Sequence, residues 1–423
     1  MINFNSSRNY ATQLDAQDEL ASFREQFVID DPNLLYMDGN SLGRLTKASQ
    51  SRVREVLDDE WGRDLIHSWN KGWWDAPARI GESIAKLVGA AEGQVLVADQ
   101  TSVNLFKLAA SALALRPGRK RIVSDAYNFP SDLYVLQGVA KLLGRGHEVV
   151  NVTSRDGIIP DINELESLIN EDTALVELSH VTFKSGYLFN MARITEMAHR
   201  KGALVLWDLC HSIGATPVAL DDCNADFAIG CTYKYLNGGP GAPAMLYVNK
   251  KHQAHATSPI WGWWGQANPF AFNVDYQPAE GIARFGTGTM PMLSLLAMES
   301  ALVPTLEAGL PRLRSKSIQL SEYLIALSDS ILAPLGFVLG SPRDSKVRGS
   351  HISLRHADAY RINRALIEEM QVIPDFRAPD NIRLGLAPLY TTFSEVWETV
   401  ERLRIVMEEK RYEKYSAQRL KVT

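Results

Sequence analysis

Between residues 121 and 248, short apolar runs alternate with stretches of helical periodicity, and no other feature restricts the possible folds as much. Strands are expected at Arg121–Ser124, Glu148–Thr153, Ala174–Ser179, Ala203–Asp208, Asp226–Cys231 and Ala244–Val248. Helices are expected near Ser131–Leu143, Ile162–Asn170 and Met191–Lys201. This alternation predicts an α/β fold with a mainly parallel sheet covered by helices on both faces. In such sheets the ligand sits beyond the carboxyl ends of the strands, so the residues at those ends carry the functional argument.

Four strand ends stand out. Asn128-Phe-Pro-Ser-Asp132 follows the first of these strands, Ser179-His180 ends the third, Asp208-Leu-Cys-His211 ends the fourth and Tyr233-Lys234 follows the fifth. Lys234 lies between two tyrosines in Cys231-Thr-Tyr-Lys-Tyr-Leu-Asn-Gly-Gly-Pro-Gly241, after an apolar run and before a glycine-rich turn. A lysine held at a strand end can be partly desolvated, which lowers its pKa and makes it an amine nucleophile toward an aldehyde; a surface cation before a turn is the other reading. Asp208 directly follows Ala203–Trp207. A carboxylate that deep needs a positive partner, such as a protonated pyridine nitrogen, unless it merely caps the next helix.

Elsewhere Asp99-Gln-Thr-Ser102 precedes an apolar-periodic helix, Val103 to Leu115. Thr101 and Ser102 are either N-caps or hydroxyl donors at a phosphate site, where free N–H groups and the helix dipole favour an anion. Gly286-Thr-Gly-Thr289 is a second anion nest or a hinge. Near the end, Ile382-Arg-Leu-Gly-Leu-Ala387 puts Arg383 on one strand face with Gly385 and Ala387. These small neighbours leave room for a ligand carboxylate on the guanidinium fork; a solvated surface arginine is the alternative. Seven of the nine tryptophans fall in two patches, Trp61 to Trp74 and Trp261 to Trp264, which suit core or subunit interface as well as a ligand platform.

With 423 residues the chain has room for two or three domains. The boundaries expected are an N-terminal segment, 1–60, packing with the small domain; a large domain, 61–290; and a smaller α/β domain, 291–423. The last would carry strands near Gly336–Leu339, Ser350–Leu354 and Ile382–Ala387 and helices at Leu310–Ser328, Asp358–Met370 and Ser394–Glu409. A net charge of −5 gives no broad positive field for nucleic acid or anionic lipid. No apolar run approaches the ~20 residues that cross a bilayer, and the N-terminus shows no secretory pattern. Three cysteines without a CxxC fit a reducing, cytoplasmic compartment. The nine histidines form no HExxH or zinc-spaced cluster, so no metal is expected, and neither GxxxxGK[ST] nor a GxGxxG after the first strand of a βαβ unit occurs.

An aldehyde-holding lysine, a strand-end aspartate, a Phe/Asp pair, hydroxyls at a helix start and a late arginine together meet the needs of pyridoxal phosphate. Asp38-Gly-Asn-Ser-Leu-Gly43, Asn128-Phe-Pro-Ser-Asp-Leu133, Trp207-Asp-Leu-Cys-His-Ser212, Gly230-Cys-Thr-Tyr-Lys-Tyr-Leu-Asn-Gly-Gly239 and Ala387-Pro-Leu-Tyr-Thr-Thr-Phe-Ser-Glu395 resemble, in order and over nearly the whole chain, the motifs of the kynureninase family in its bacterial form. The resemblance implies fold-type-I architecture of the class V aminotransferase superfamily, pyridoxal 5'-phosphate as cofactor, and a homodimer with shared active sites. It further implies hydrolysis of L-kynurenine, and of 3-hydroxykynurenine as a second substrate, in tryptophan catabolism and NAD biosynthesis.

Position by position, Lys234 is similar to the family's Schiff-base lysine, Asp208 to its pyridinium partner and Phe129 to the residue stacked on the ring, with Asp132, Ser179 and His211 nearby. Thr101, Ser102 and Tyr233 resemble phosphate ligands, and Trp263 and Thr289 those that come from the second subunit. Arg383 matches the arginine for the substrate carboxylate, and Asn40, Trp69 and Gly288 the rest of the substrate site. Tyr233 is the candidate for proton transfer at the γ-carbonyl. Trp69 beside a side-chain-free Gly288 suits an unsubstituted aniline ring. The chain departs from the family at Gln266, where histidine is usual, and at Cys210, where alanine is usual. A cysteine desulfurase or class V aminotransferase, and a non-catalytic pyridoxal-phosphate-binding regulator, are the rival readings. Against the first stand Tyr233, in place of a histidine before the lysine, and a late domain without cysteine; against the second stands the retention of Lys234, Asp208 and Arg383 together.

Overall fold

The structure is a computed structural model that describes residues 5–418. Seven strands form its larger sheet: β1 (Val95–Val97), β2 (Arg121–Asp125), β3 (Glu148–Val152), β4 (Thr173–Ser179), β5 (Leu204–Asp208), β6 (Phe227–Gly230) and β7 (Met245–Val248). Their order is β1-β7-β6-β5-β4-β2-β3, and β7 alone runs antiparallel to its neighbours. The mainly parallel sheet expected from the alternation is therefore present, with six strands placed to within a residue or two. Strand β1 was not foreseen, because three apolar residues are too few to show a period. Strands β4 and β5 are buried along their whole length, as a sheet covered on both faces requires.

Helices α1 (Thr101–Ala114), α2 (Pro130–Leu143), α3 (Ile162–Leu168) and α4 (Met191–Arg200) fill the crossovers. Local chemistry fixes their ends. Pro130 supplies the pre-set φ of a first turn in α2, and Gly144 closes it in the left-handed region at φ 63°. Because β2, β4, β5 and β6 are parallel, their carboxyl ends share one edge, and Asn128, Ser179, Asp208 and Lys234 meet there.

A second sheet of four strands, β8 (Val338–Leu339), β9 (His351–Arg355), β10 (Asp375–Arg377) and β11 (Asn381–Gly385), is antiparallel in the order β10-β11-β9-β8. One face packs Ile352, Leu354, Ile382 and Leu384 on helices α5 (Leu310–Leu327), α6 (Ala359–Met370) and α7 (Phe393–Glu408). The alternate residues, His351, Ser353, Arg383 and Gly385, share the opposite face. It turns toward the large sheet's carboxyl edge, since Arg383 Nη1 donates to the Phe183 carbonyl at 2.6 Å. Ala11, Leu35 and Met37 are buried in this second core. Leu35–Tyr36 pairs in parallel with Val372–Ile373, so the turn before Gly43 is reached from a long-range pairing and is not a hairpin. Among the described residues no single helix is long and apolar enough to cross a membrane.

Candidate active site

A cavity of about 210 Å³ opens where the two sheets face each other, lined by Ser41, Thr101, Ser102, Phe129, Ser131, Asp132, Asp208, Cys210, His211, Tyr233, Lys234, Arg377 and Arg383. Lys234 reaches it from the turn after β6. Its Nζ donates to His211 Nε2 at 3.2 Å and stands 6.0 Å from the centre of the Phe129 ring. Burial, and then the Lys234 charge, hold the His211 imidazole well below its usual pKa, so it is neutral and free to accept from the amine. Its interaction with Cys231, and then burial, push the neighbouring Tyr233 phenol up, so it stays protonated.

The floor of the cavity is acidic. Asp208 accepts the Cys210 backbone N–H at 2.9 Å, and the Ser179 hydroxyl lies between Asp208 Oδ2 at 3.0 Å and the Asn128 amide oxygen at 2.7 Å. Asn128 in turn donates to Glu177 at 2.8 Å, an acid that sequence reading did not single out. Burial, and next the Asp208 charge, raise Glu177 from 4.5 to about 8. The same two causes push Asp132 well above the carboxylate range, and its Oδ2 is buried without a partner. Of the two acids that line the cavity, Asp208 is the one with a hydrogen-bond donor on each oxygen, whereas Asp132 keeps one oxygen unpartnered.

Two helices point their N-termini at the opposite wall. Helix α1 begins at Thr101, two residues earlier than expected, and its N-cap Gln100 makes no side-chain cap bond, so the first N–H groups remain free. Ser102 of α1 and Ser131 of α2 are 3.0 Å apart at their hydroxyls. Two converging helix starts with hydroxyls form an anion site. Behind it the buried Lys107 Nζ donates to Asp99 at 2.7 Å and to the Phe285 carbonyl at 2.8 Å, and Thr287 donates to the same carboxylate at 2.9 Å.

Arg383 is at the cavity, but the room expected beside it is taken. A Cβ on Gly385 would overlap the Asn40 amide and lie 2.8 Å from the Asn40 backbone nitrogen. Fully buried Asn40 uses that space, its amide oxygen accepting from Arg383 Nε at 2.9 Å and Nη2 at 3.1 Å. The small neighbour therefore seats a protein amide and not a ligand. Arg377, which no sequence pattern marked, shares the wall.

Trp69, Trp263, Gly288 and Thr289 do not line this cavity. The two tryptophan patches have merged: Trp74 stacks on Trp264 at 4.4 Å, and Trp69 lies 5.7 Å from Trp264. Gly288 and Thr289 are exposed at the end of the Gly-Thr-Gly-Thr turn.

The residues fit pyridoxal phosphate. An aromatic face, an amine, a carboxylate floor, the unpartnered acid of Asp132 and an anion cradle match a flat cationic ring bearing an aldehyde and a phosphate. Residues 313–403 match the family model of the kynureninase C-terminal domain, and residues 57–219 that of the DegT/DnrJ/EryC1/StrS aminotransferase family. The kynureninase of Pseudomonas fluorescens is 42% identical over 410 residues, 96% of each chain. Among solved structures, a cysteine desulfurase of Escherichia coli superposes with a TM-score of 0.78 at 18% identity, covering 92% of this chain and 99% of its own. A variant of the cystine C–S lyase C-DES, with glycine covalently linked to its PLP cofactor, gives a TM-score of 0.77 at 18% identity over 90% and 98%. These likenesses show the fold alone, that of the fold-type-I PLP enzymes.

Proposed function

The chain belongs to the kynureninase family, and from that premise we propose how its residues divide the hydrolysis of L-kynurenine to anthranilate and L-alanine. Pyridoxal phosphate is the cofactor; when bound it supplies an electron sink for the α-carbon and for the bond beside the γ-carbonyl. Lys234 would hold its aldehyde, Asp208 would serve the ring nitrogen, Phe129 would give the ring an aromatic face, and Asp132, Ser179 and His211 would complete its surroundings. Thr101, Ser102 and Tyr233 hold the phosphate. The desulfurase, aminotransferase and regulator readings are not favoured.

The observation that carries this assignment is that Lys234, Phe129, Asp208 and the starts of α1 and α2 all line one cavity. Within it the Lys234 amine takes the substrate's α-proton, with neutral His211 accepting from the same nitrogen. Tyr233 gives a proton at the γ-carbonyl oxygen as water adds there. Arg383, steadied by Asn40, faces the substrate carboxylate. Anthranilate fluorescence on adding L-kynurenine is the test: wild type develops it, and Lys234→Ala does not. Equal rates in both, with no borohydride attachment at residue 234, would refute the assignment.

The assignment extends to a homodimer in which Trp263 and Thr289 complete the partner's phosphate site, and Trp69 and Gly288 the aryl pocket. Its support is the exposure of large apolar side chains in these segments, Ile66 at 72%, Phe272 at 80% and Val274 at 100%. The division carried with it is a segment 1–60 packing with a small domain, 291–423, and a large domain, 61–290; the second sheet's own core, which takes in Ala11, Leu35 and Met37, supports it, while Val56 and Met292 to Leu302 pack on the first core. The unsubstituted substrate is preferred over 3-hydroxykynurenine, which a comparison of their kcat/KM values decides. The free thiols at Cys210, Cys223 and Cys231 support a reducing, cytoplasmic setting for tryptophan catabolism.

A further inference from the structure

Asp99 is a carboxylate just ahead of Gln100, the N-cap of the helix assigned to the cofactor's phosphate. In Asp99-Gln-Thr-Ser102 an acidic side chain is within reach of the first N–H groups of α1, the donors that aspartates at helix starts take. A carboxylate placed there occupies the donors that a phosphate needs and repels its charge. The structure shows it turned elsewhere.

Lys107 and Thr287 hold it. The Lys107 ammonium, 0% exposed in the second turn of α1, donates to Asp99 Oδ2 at 2.7 Å, and the Thr287 hydroxyl donates to Oδ1 at 2.9 Å. Lys107 also donates to the Phe285 carbonyl at 2.8 Å, so one amine fixes both the carboxylate and the segment that carries Thr287. The Asp99 backbone is held as well. Its carbonyl accepts the Ala244 N–H at 2.9 Å, and its φ of 50° lies in the left-handed region, which a residue other than glycine keeps only when its surroundings impose it. Gln100 makes no side-chain cap bond, so the starting N–H groups of α1 are left to a ligand.

The reaction assigned above does not use Lys107. Burial pulls its ammonium below the ordinary pKa and the Asp99 charge pulls the other way. A buried cation is costly without a partner, and this one has a single carboxylate.

Resting on pyridoxal phosphate as the occupant of this cavity, we propose that Lys107 is a positioning residue for the phosphate site, holding the Asp99 carboxylate away from the start of α1 so that its N–H groups serve the cofactor's phosphate. Thr287 assists from the other oxygen. Without Lys107 the carboxylate turns onto the helix start, and the chain blocks its own anion cradle.

The test compares the full-length wild type with Lys107→Met and with the double variant Lys107→Met/Asp99→Gly. Each is stripped of cofactor and titrated with pyridoxal 5'-phosphate and with pyridoxal, which lacks the phosphate, and binding is read from visible absorbance. Lys107→Met raises the dissociation constant of pyridoxal phosphate about 10- to 100-fold, while that of pyridoxal stays within about threefold. The double variant removes the competing carboxylate and gives position 99 a residue at ease with positive φ, so it recovers most of the loss. Equal weakening of both ligands overturns the proposal, since Lys107 then serves the fold alone. A double variant as weak as Lys107→Met also overturns it, since Lys107 then acts by its own charge. If Lys107→Met does not fold, Thr287→Val and Thr287→Val/Asp99→Gly are read against the same two ligands, with a loss of about 3- to 10-fold that the glycine restores. Failure of wild type to release anthranilate would strike the kynureninase reading instead, and the ratio of the two constants would still read Lys107.

Discussion

Replacing Gly385 with alanine tests whether the Arg383 wall is set by steric seating. The added methyl overlaps the Asn40 amide and meets its backbone nitrogen at 2.8 Å. Rotating the side chain therefore does not relieve the clash, and the turn itself must move. Overpacking of this kind costs about 1–3 kcal/mol. The two hydrogen bonds from Arg383 to Asn40 also go, each worth about 1.5–3 kcal/mol because one partner is charged. If roughly 2–3 kcal/mol of this sum falls on substrate binding, the KM for L-kynurenine rises on the order of 30- to 150-fold. The melting temperature falls by a few degrees. The assay is anthranilate fluorescence against substrate concentration, with a thermal melt alongside. Gly138→Ala, inside α2 with no atom within 4 Å of the new Cβ, is the control, and it should hold or raise stability. A Gly385→Ala enzyme with wild-type KM and melting temperature would refute the steric argument.

Tyr233→Phe should slow turnover far more than it weakens cofactor retention, read as kcat beside the visible absorbance of the bound cofactor; an unchanged kcat removes the tyrosine from the chemistry. Glu177 is neutral when folded and ionises at ordinary pH when unfolded, so the native state holds a proton the unfolded state lacks between 4.5 and about 8. Stability from this group is full below 4.5 and is lost as pH rises through that window, by on the order of 5 kcal/mol; Glu177→Gln should flatten the decline seen by urea denaturation, and equal slopes would refute it. Lys107→Met strands Asp99 without its ion partner and should cost about 3–5 kcal/mol, whereas Thr287→Val, which removes one hydroxyl donor to that carboxylate, should cost about 1.5–3 kcal/mol; a Thr287→Val loss as large as that of Lys107→Met would show that the ion pair does not dominate.

What could be read in the chain follows from which physics is local. Strand β5 is legible because Leu204–Trp207 is an unbroken apolar run, and Asp208 because a carboxylate at the end of such a run needs a reason. The start of α1 is legible to within two residues from Asp99-Gln-Thr-Ser102. Strand β10, Asp-Phe-Arg, is too short and too charged to look like a strand, and it becomes one only by pairing with β11. Arg377 was missed with it. Asn40 was placed at the substrate by resemblance, and its seat in the gap beside Gly385 depends on a contact between residues more than three hundred positions apart. Glu177 looks like an interruption in an apolar strand until Asn128 and Ser124 are seen to donate to it.

The strip from Asp38 to Gly43 explains why so little of the substrate side is local. Gly43 N–H donates to the Tyr233 carbonyl at 2.8 Å, and a side chain there would overlap the Lys234 carbonyl. Two residues earlier, Ser41 bridges Arg383 and Asp375 at 2.8 Å and 3.1 Å, and Asn40 holds Arg383 from the other side. The strip itself is fixed by the Leu35–Tyr36 pairing with Val372–Ile373 and by the Tyr36 hydroxyl donating to the Leu42 carbonyl at 2.6 Å. One short segment thus sets the spacing between the Lys234 backbone and the Arg383 guanidinium. Under the proposed assignment a change in it should alter binding and turnover together, because Lys234 and Arg383 are referenced to the same backbone, whereas a change at Phe129 should act through cofactor retention alone.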